Sequence, residues 1–390
     1  MSLLPYIQPA AARAAASGII AAVNYGRERP GLIPLWAGEG ELPTPAFISD
    51  AAAKGLRDGE TFYTWQRGIP DLREALVRYY QRHFGMTFPV DELIVTSSGM
   101  HAIQMAIQLV AAGGDDLLYL SPAWPNFAGA ATVAGANPIP VPLTLSGNGW
   151  TLDVERLEAA VTPRTRAIFL NSPCNPTGWT ADEATLTAVL DLARRKGLWI
   201  IADEIYALFY YDGTRAPSFL DVMEPEDRIL FVNSFSKNWA MTGWRIGWLR
   251  VHPSLGPTFE NLIQYSSSGV AQFMQRGAVA ALDFGDDFIR EQVEQARKGR
   301  DMVCTELGRA RHIRFAVPQG AFYLFFAVEG LENSMEAAFE IIDKANVGLA
   351  PGSAFGAAGE GFLRLCFHRR LDQVEEAVHR IASWVEARSA

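Results

Sequence analysis

From residue 92 to residue 251 the chain alternates short apolar runs with helical stretches, and no other feature restricts the fold as much. The runs lie at 93–97, 117–121, 138–143, 167–171, 198–203, 229–233 and 246–251. Short apolar strands separated by helices make a mostly parallel sheet sandwiched by helices, so an α/β fold is expected. In such sheets ligands bind outside the carboxyl ends of the strands. The polar residues just after each run are therefore the ones to read for chemistry.

The flanks have a different character. Residues 1–36 read as an arm with one helical stretch, followed by the Gly- and Pro-rich segment 35–45, which cannot be regular helix. Gly38 in that segment lets backbone approach a ligand closely, or belongs to a plain connector. Residues 46–58 read as helix and 61–69 as an aromatic loop. Pro70 opens a helix that Gly85 stops. Thr180 and Glu183 form a capping box for a helix that Gly197 closes. From residue 286 a long charged helix to about 311, a strand at 362–367 and a final helix at 372–388 suggest a smaller α+β domain. The expected division is a large domain at 46–285, and a small domain from both chain ends, 1–45 and 286–390, including the N-terminal arm.

Composition narrows the function classes. The chain of 390 residues is 49% hydrophobic and 20% charged, as soluble globular proteins are. A net charge of -9 argues against nucleic acid as a partner. Cys174, Cys304 and Cys366 are too far apart for a zinc site and odd in number, which points to reduced thiols and a cytoplasmic protein. The six histidines show no metal-ligand spacing, so no metal is expected. No signal peptide and no apolar stretch long enough to span a membrane is read.

At the ends of the runs the residues turn polar. Ser98, Gly99 and Met100 open a helix after the first, where free N–H groups can hold an anion. Trp124 follows the second and either stacks on a flat ring or belongs to the core. After the fourth, two X-Pro steps stiffen the loop around Asn175. Cys174 beside it has no base nearby and reads as a buried neutral thiol. Asp203 ends a very apolar run and is expensive there unless it meets a cation, whereas Glu204 should point the other way.

Lys237 follows the sixth run, between Ser234, Ser236 and Arg245. It is a surface lysine after an edge strand, or an amine desolvated enough to attack a carbonyl. The second reading suggests a phosphate-bearing carbonyl cofactor, pyridoxal 5'-phosphate. Lys237 would form its Schiff base and shuttle a proton at the substrate carbon, and Asp203 would keep the ring nitrogen protonated. Asn175 and Tyr206 would hold the ring oxygen, and Ser234, Ser236 and Arg245 the phosphate. Arg364 is either a bidentate partner for a substrate carboxylate or part of a surface ion pair.

Taken together, the segments 171–178, 203–206, 234–245, 318–323, 351–356 and 362–365 resemble the class I/II aminotransferases, fold-type-I pyridoxal-phosphate enzymes, from Gly38 to the last helix. The resemblance implies a seven-stranded mixed sheet, a homodimer with shared sites, and an amino acid and a 2-oxo acid as substrates. It implies that Tyr63 reaches the neighbouring subunit's cofactor phosphate and that Ser98, Gly99 and Met100 bind phosphate. It further implies that Trp124 stacks on the ring and that Gly38 lies beside substrate. Met100 stands where many bacterial aspartate-specific members have a lysine, and 265–270 offers no arginine for a distal carboxylate. The expected enzyme is therefore not strictly aspartate-specific, with Met100, Trp36 and Trp65 as apolar wall and Arg67 as a remaining source of charge. A carbon–sulfur β-lyase or a cyclopropane-forming synthase would share the same site. A cofactor-binding regulator would carry a DNA-binding extension, which is not read here.

Overall fold

Apart from the largely exposed edge strand at 137–142, the apolar runs become strands because both of their faces find a core. The computed structural model describes residues 3–147 and 149–389. The large sheet contains β1 (Leu93–Thr96), β2 (Asp116–Ser121), β3 (Asn137–Pro142), β4 (Thr165–Asn171), β5 (Trp199–Asp203), β6 (Ile229–Ser234) and β7 (Gly247–Arg250). Alternate residues feed opposite sides: Ile168, Leu170 and Ile200 enter one core, and Ala167, Phe169 and Ile201 the other. The order is β1-β7-β6-β5-β4-β2-β3. β7 runs antiparallel to β1 and β6, and the remaining pairs are parallel. The seven-stranded, mostly parallel sheet expected from the sequence is the one found.

Register gathers the strand ends. Asn171 pairs with Asp203 and Asp203 with Val232. Ser234 pairs with Gly247, which also faces Thr96. A Cβ on Gly247 would lie 2.7 Å from the Asn233 carbonyl oxygen and 2.8 Å from the Gly99 nitrogen. Only glycine lets β7 pass this close to the start of the helix Gly99–Val110.

Two local expectations are corrected. The capping box at Thr180 does not form. Helix Glu183–Lys196 is capped by Asp182, whose carboxylate accepts from the Thr185 N–H at 2.8 Å. The Thr180 N–H is drawn instead to Gln319 Oε1 at 3.3 Å. The long helix spans Asp286–Leu307 and stops short of Arg311, because Gly308 follows its last turn. The Pro70–Phe84 helix ends at Gly85 with φ 69°, as read.

The second sheet is antiparallel, in the order β8 (Ile313–Phe315), β9 (Tyr323–Val328), β11 (Phe362–Cys366), β10 (Ala350–Pro351). Near it, Ile33–Pro34 pairs in parallel with Val347–Gly348. Ile33 and Leu35 share a core with Leu324, Leu365 and the last helix, Leu371–Ser389, so both chain ends meet there.

Candidate active site

Between the carboxyl edge of the large sheet and the second sheet lies a cavity of about 610 Å3. Its size suits a small cofactor together with a small substrate.

One end is built to hold an anion. Ser98 caps the helix Gly99–Val110, its Oγ accepting from the His101 N–H at 2.9 Å. Gly99, Met100, Ser234, Ser236 and Arg245 line the cavity beside that helix start. The Ser234 hydroxyl donates to Ser236 Oγ at 2.9 Å and accepts from the Ser236 N–H at 3.1 Å. A Cβ on Gly99 would sit 3.2 Å from Ser234 Cβ, so the backbone approaches closely at the helix's positive end. Arg245 has φ 54°, a left-handed conformation, and its guanidinium donates to the Thr242 carbonyl at 2.6 Å.

At the centre, Lys237 Nζ donates to the Gly38 carbonyl at 2.7 Å. Burial lowers its pKa to about 8, against the pull of Glu39. Asp203 lies deeper and is buried. Its carboxylate receives one long bond, from the Ile205 N–H at 3.4 Å, and burial raises its pKa to about 7. Tyr206 and Tyr323 share a hydrogen bond of 2.7 Å between hydroxyls, and burial raises both phenols.

At the far end Arg364 projects from β11. It is 2% exposed. One guanidinium nitrogen donates to Asn175 Oδ1 at 3.1 Å, another to the Trp36 carbonyl, and Nε has no partner. The guanidinium lies 4.6 Å from the Tyr323 ring centroid and 5.0 Å from that of Phe355. A buried guanidinium held by neutral oxygens and rings has capacity left for an anion. Asn175 is fixed at both ends of its backbone: its N–H donates to Asn171 Oδ1 at 2.9 Å, and its carbonyl accepts from the Trp124 N–H at 2.9 Å.

Of the catalytic, cofactor-binding and substrate-binding residues expected from the sequence, Gly38, Gly99, Met100, Trp124, Asn175, Asp203, Tyr206, Ser234, Ser236, Lys237, Arg245 and Arg364 line this cavity, and Ser98 and Tyr63 do not. Ser98 sits behind it as the helix cap. Tyr63 is 92% exposed and outside it. Trp65 is likewise outside, and Arg67 is engaged by Glu260 at 2.8 Å, so neither supplies wall or charge within this chain. Glu204 points away as expected, accepting from the Ser218 hydroxyl at 2.7 Å and the Phe219 N–H at 3.2 Å. The Cys174 thiol is buried and pushed up to about 11, which keeps it protonated. Sequence reasoning gave Tyr323 no role, although it ends the matching segment 318–323 and opens β9. It also missed Ile19, Ile20 and Val23, which line the cavity from the helix Gly18–Gly26. That stretch reads as an arm, and nothing local says where it docks.

A family model described as aminotransferase class I and II matches residues 31–381. The chain belongs to the class I and II aminotransferases. Similar relatives include an aspartate aminotransferase of Pyrococcus horikoshii, 33% identical over 358 residues and 91% of each chain. An aromatic-amino-acid aminotransferase of Thermococcus litoralis is 34% identical over 358 residues, covering 90% of this chain and 91% of the relative. Among solved structures, an alanine aminotransferase from Pyrococcus furiosus superposes with a TM-score of 0.91 at 26% identity, over 98% of this chain and 100% of that one. The protein is thus an aminotransferase on the fold of its family, and Lys237, Asp203 and Arg364 line the cavity between its two main sheets.

Proposed function

We propose that this aminotransferase uses pyridoxal 5'-phosphate to exchange an amino group between an L-amino acid and a 2-oxo acid. One observation carries the reading. The depressed amine of Lys237 lies in one cavity with an anion cradle, a buried carboxylate and a buried arginine that has no carboxylate partner. These residues fit the cofactor. Gly99, Met100, Ser234, Ser236 and Arg245, with Ser98 behind them, would hold its phosphate. Asp203 would face its ring nitrogen, Trp124 its ring, and Asn175 and Tyr206 its ring oxygen. Tyr63 would add a phosphate contact from the second subunit of a homodimer. Pyridoxal phosphate supplies a carbonyl that accepts an amino group by Schiff-base exchange and a ring that withdraws electrons from the adjacent carbon.

The chain's own residues do the rest. A lysine with a pKa of about 8 has a neutral fraction near neutral pH, so Lys237 can take a proton from the substrate Cα and return it elsewhere. Asp203, deprived of solvent, favours any arrangement that brings a cation to it. Arg364 holds the α-carboxylate, with Asn175 setting its orientation and Gly38 lining the substrate side. Relatives named for aspartate, aromatic amino acids and alanine support a specificity that is not strictly for aspartate.

The domain division at 45/46 and 285/286, with the N-terminal arm joining the small domain, belongs to this reading and is supported by the seven-stranded and four-stranded sheets falling on opposite sides of it. Exposed Phe62, Tyr63, Trp65 and Tyr265 support the homodimer. Three free cysteines support a cytoplasmic location, and no described helix is long and apolar enough to cross a membrane.

The test is spectroscopic. Protein loaded with pyridoxal phosphate should show a visible band that an amino acid bleaches and a 2-oxo acid restores. Lys237→Ala should slow both half-reactions by about 10³-fold. Parent-like rates in that variant would overturn the assignment. Release of pyruvate and ammonia without bleaching would favour a lyase.

A further inference from the structure

We infer that the amino donor is a monocarboxylic amino acid with an uncharged apolar side chain, and that the N-terminal helix Gly18–Gly26 reads it. This rests on the aminotransferase reading and deepens it. Three cations line the cavity: Lys237, Arg245 and Arg364. In the proposed function each has a task, with the amino group, the phosphate and the α-carboxylate respectively. Among the described residues of this chain none is left for a second carboxylate on the substrate.

The remaining wall is apolar. Ile19, Ile20 and Val23 face the cavity from one side of the helix, spaced so that they share a face. Trp36, Met100 and Ile103 also line the cavity. Ser17 starts this helix, its hydroxyl accepting from the Ile20 N–H at 3.3 Å, so the apolar residues follow directly after a fixed cap. On its other side the helix is anchored away from the cavity: the Tyr25 hydroxyl donates to Asp343 at 2.9 Å, and the Tyr25 ring lies 4.4 Å from that of Phe339. The wall is therefore held in place by the second sheet's helix Ser334–Ala345. Ile20 remains 54% exposed, a large aliphatic side chain at the cavity mouth.

A distal carboxylate in this space would lose its hydration without gaining a counter-ion, whereas an aliphatic or aromatic side chain would gain burial. Within this chain Arg67 does not alter the balance, since Glu260 holds it outside the cavity.

The experiment compares donors and unreactive analogues on the cofactor-loaded enzyme. Single-turnover kcat/KM for phenylalanine, leucine and methionine should exceed that for aspartate and glutamate by roughly tenfold or more. Calorimetry should show hydrocinnamate binding more tightly than maleate. Ile20→Lys alters a half-exposed position outside the buried core. It should weaken hydrocinnamate and tighten maleate, each by about tenfold. Aspartate or glutamate reacting as fast as phenylalanine, or maleate binding as well as hydrocinnamate, would overturn the inference while leaving the aminotransferase reading intact. If no amino acid bleached the visible band, both would fall. An unchanged analogue preference in Ile20→Lys would remove the helix from the reading of the side chain.

Discussion

The same residue types occur as buried polar groups in two kinds of place in this protein, and their partners differ. Asp203 and Glu204 are consecutive and both buried, and burial raises both to about 7. Glu204 faces the core with the Ser218 hydroxyl and Phe219 N–H donating to it. Asp203 faces the cavity with one long bond. The arginines repeat the pattern. Arg250, at the opposite end of the large sheet, pairs with Glu92 at 2.7 Å and lies over the rings of Phe88 and Phe231. Arg364 also lies over rings but meets neutral oxygens. Charged groups in the frame are paired within the chain, whereas those in the cavity keep unused hydrogen-bonding capacity.

The arginines should give the largest effect. Arg250→Met leaves the Glu92 carboxylate without its partner and should cost about 3 kcal/mol of stability in urea denaturation, with kcat/KM little changed. Arg364→Met removes a buried charge that has no counter-ion among the described residues, so stability should hold or rise. The kcat/KM for amino acids should fall by about 10²- to 10³-fold, mainly through KM. If Arg364→Met were the less stable protein, the distinction between frame and cavity would fail.

The carboxylates sharpen the comparison through pH. Unfolded Asp203 titrates near 3.8 and the folded, cofactor-free residue near 7. The folded protein thus keeps that proton longer. The contribution to stability is fully present below about pH 4 and is lost as pH rises through 7, of order 4 kcal/mol in all. Glu204 acts with the same sign from 4.5. His368, lowered to about 4 by burial, opposes both, so the informative quantity is the difference between variant and parent. Asp203→Asn and Glu204→Gln should each flatten the fall in apoprotein stability between pH 4 and 7. Activity of the loaded enzyme should drop only in Asp203→Asn, by about 10²-fold or more. Loading the parent with cofactor should flatten the slope as well, by giving Asp203 a cation.

Much of this contrast was legible in the sequence, because strand ends carry it. Asp203, Asn175 and Lys237 each follow an apolar run, and parallel register brings such positions to one edge whatever the details of packing. Met100 was legible as an apolar substitution only through the resemblance to the family, which sets a lysine at that place in many aspartate-specific members. What the sequence does not display is docking. Ile19, Ile20 and Val23 lie some 200 residues before Lys237 in a segment whose pattern shows one apolar face without naming its neighbour. Arg67 looked available because its partner Glu260 is equally remote. The Thr180 capping box failed because Asp182 competes for the same helix start, a choice between two good caps that tertiary contact with Gln319 decides.

The smallest expected effect separates the two regions at the level of one hydroxyl. In the core, the Trp248 indole N–H donates to the Tyr80 hydroxyl at 3.0 Å. In the cavity, Tyr206 and Tyr323 share their 2.7 Å bond. Tyr80→Phe leaves a buried indole N–H without an acceptor, which should cost about 1–2 kcal/mol of stability and leave kinetics unchanged. Tyr323→Phe leaves the Tyr206 hydroxyl with room to turn toward the cavity, where ligand or water can satisfy it. Stability should change by less than about 0.5 kcal/mol, and kcat/KM should fall about fivefold through looser placement of Tyr206. Urea denaturation and half-reaction kinetics on both variants check the pair. The reverse pattern, with Tyr323→Phe costing stability and Tyr80→Phe costing rate, would mean that the hydroxyls at the cavity belong to the frame.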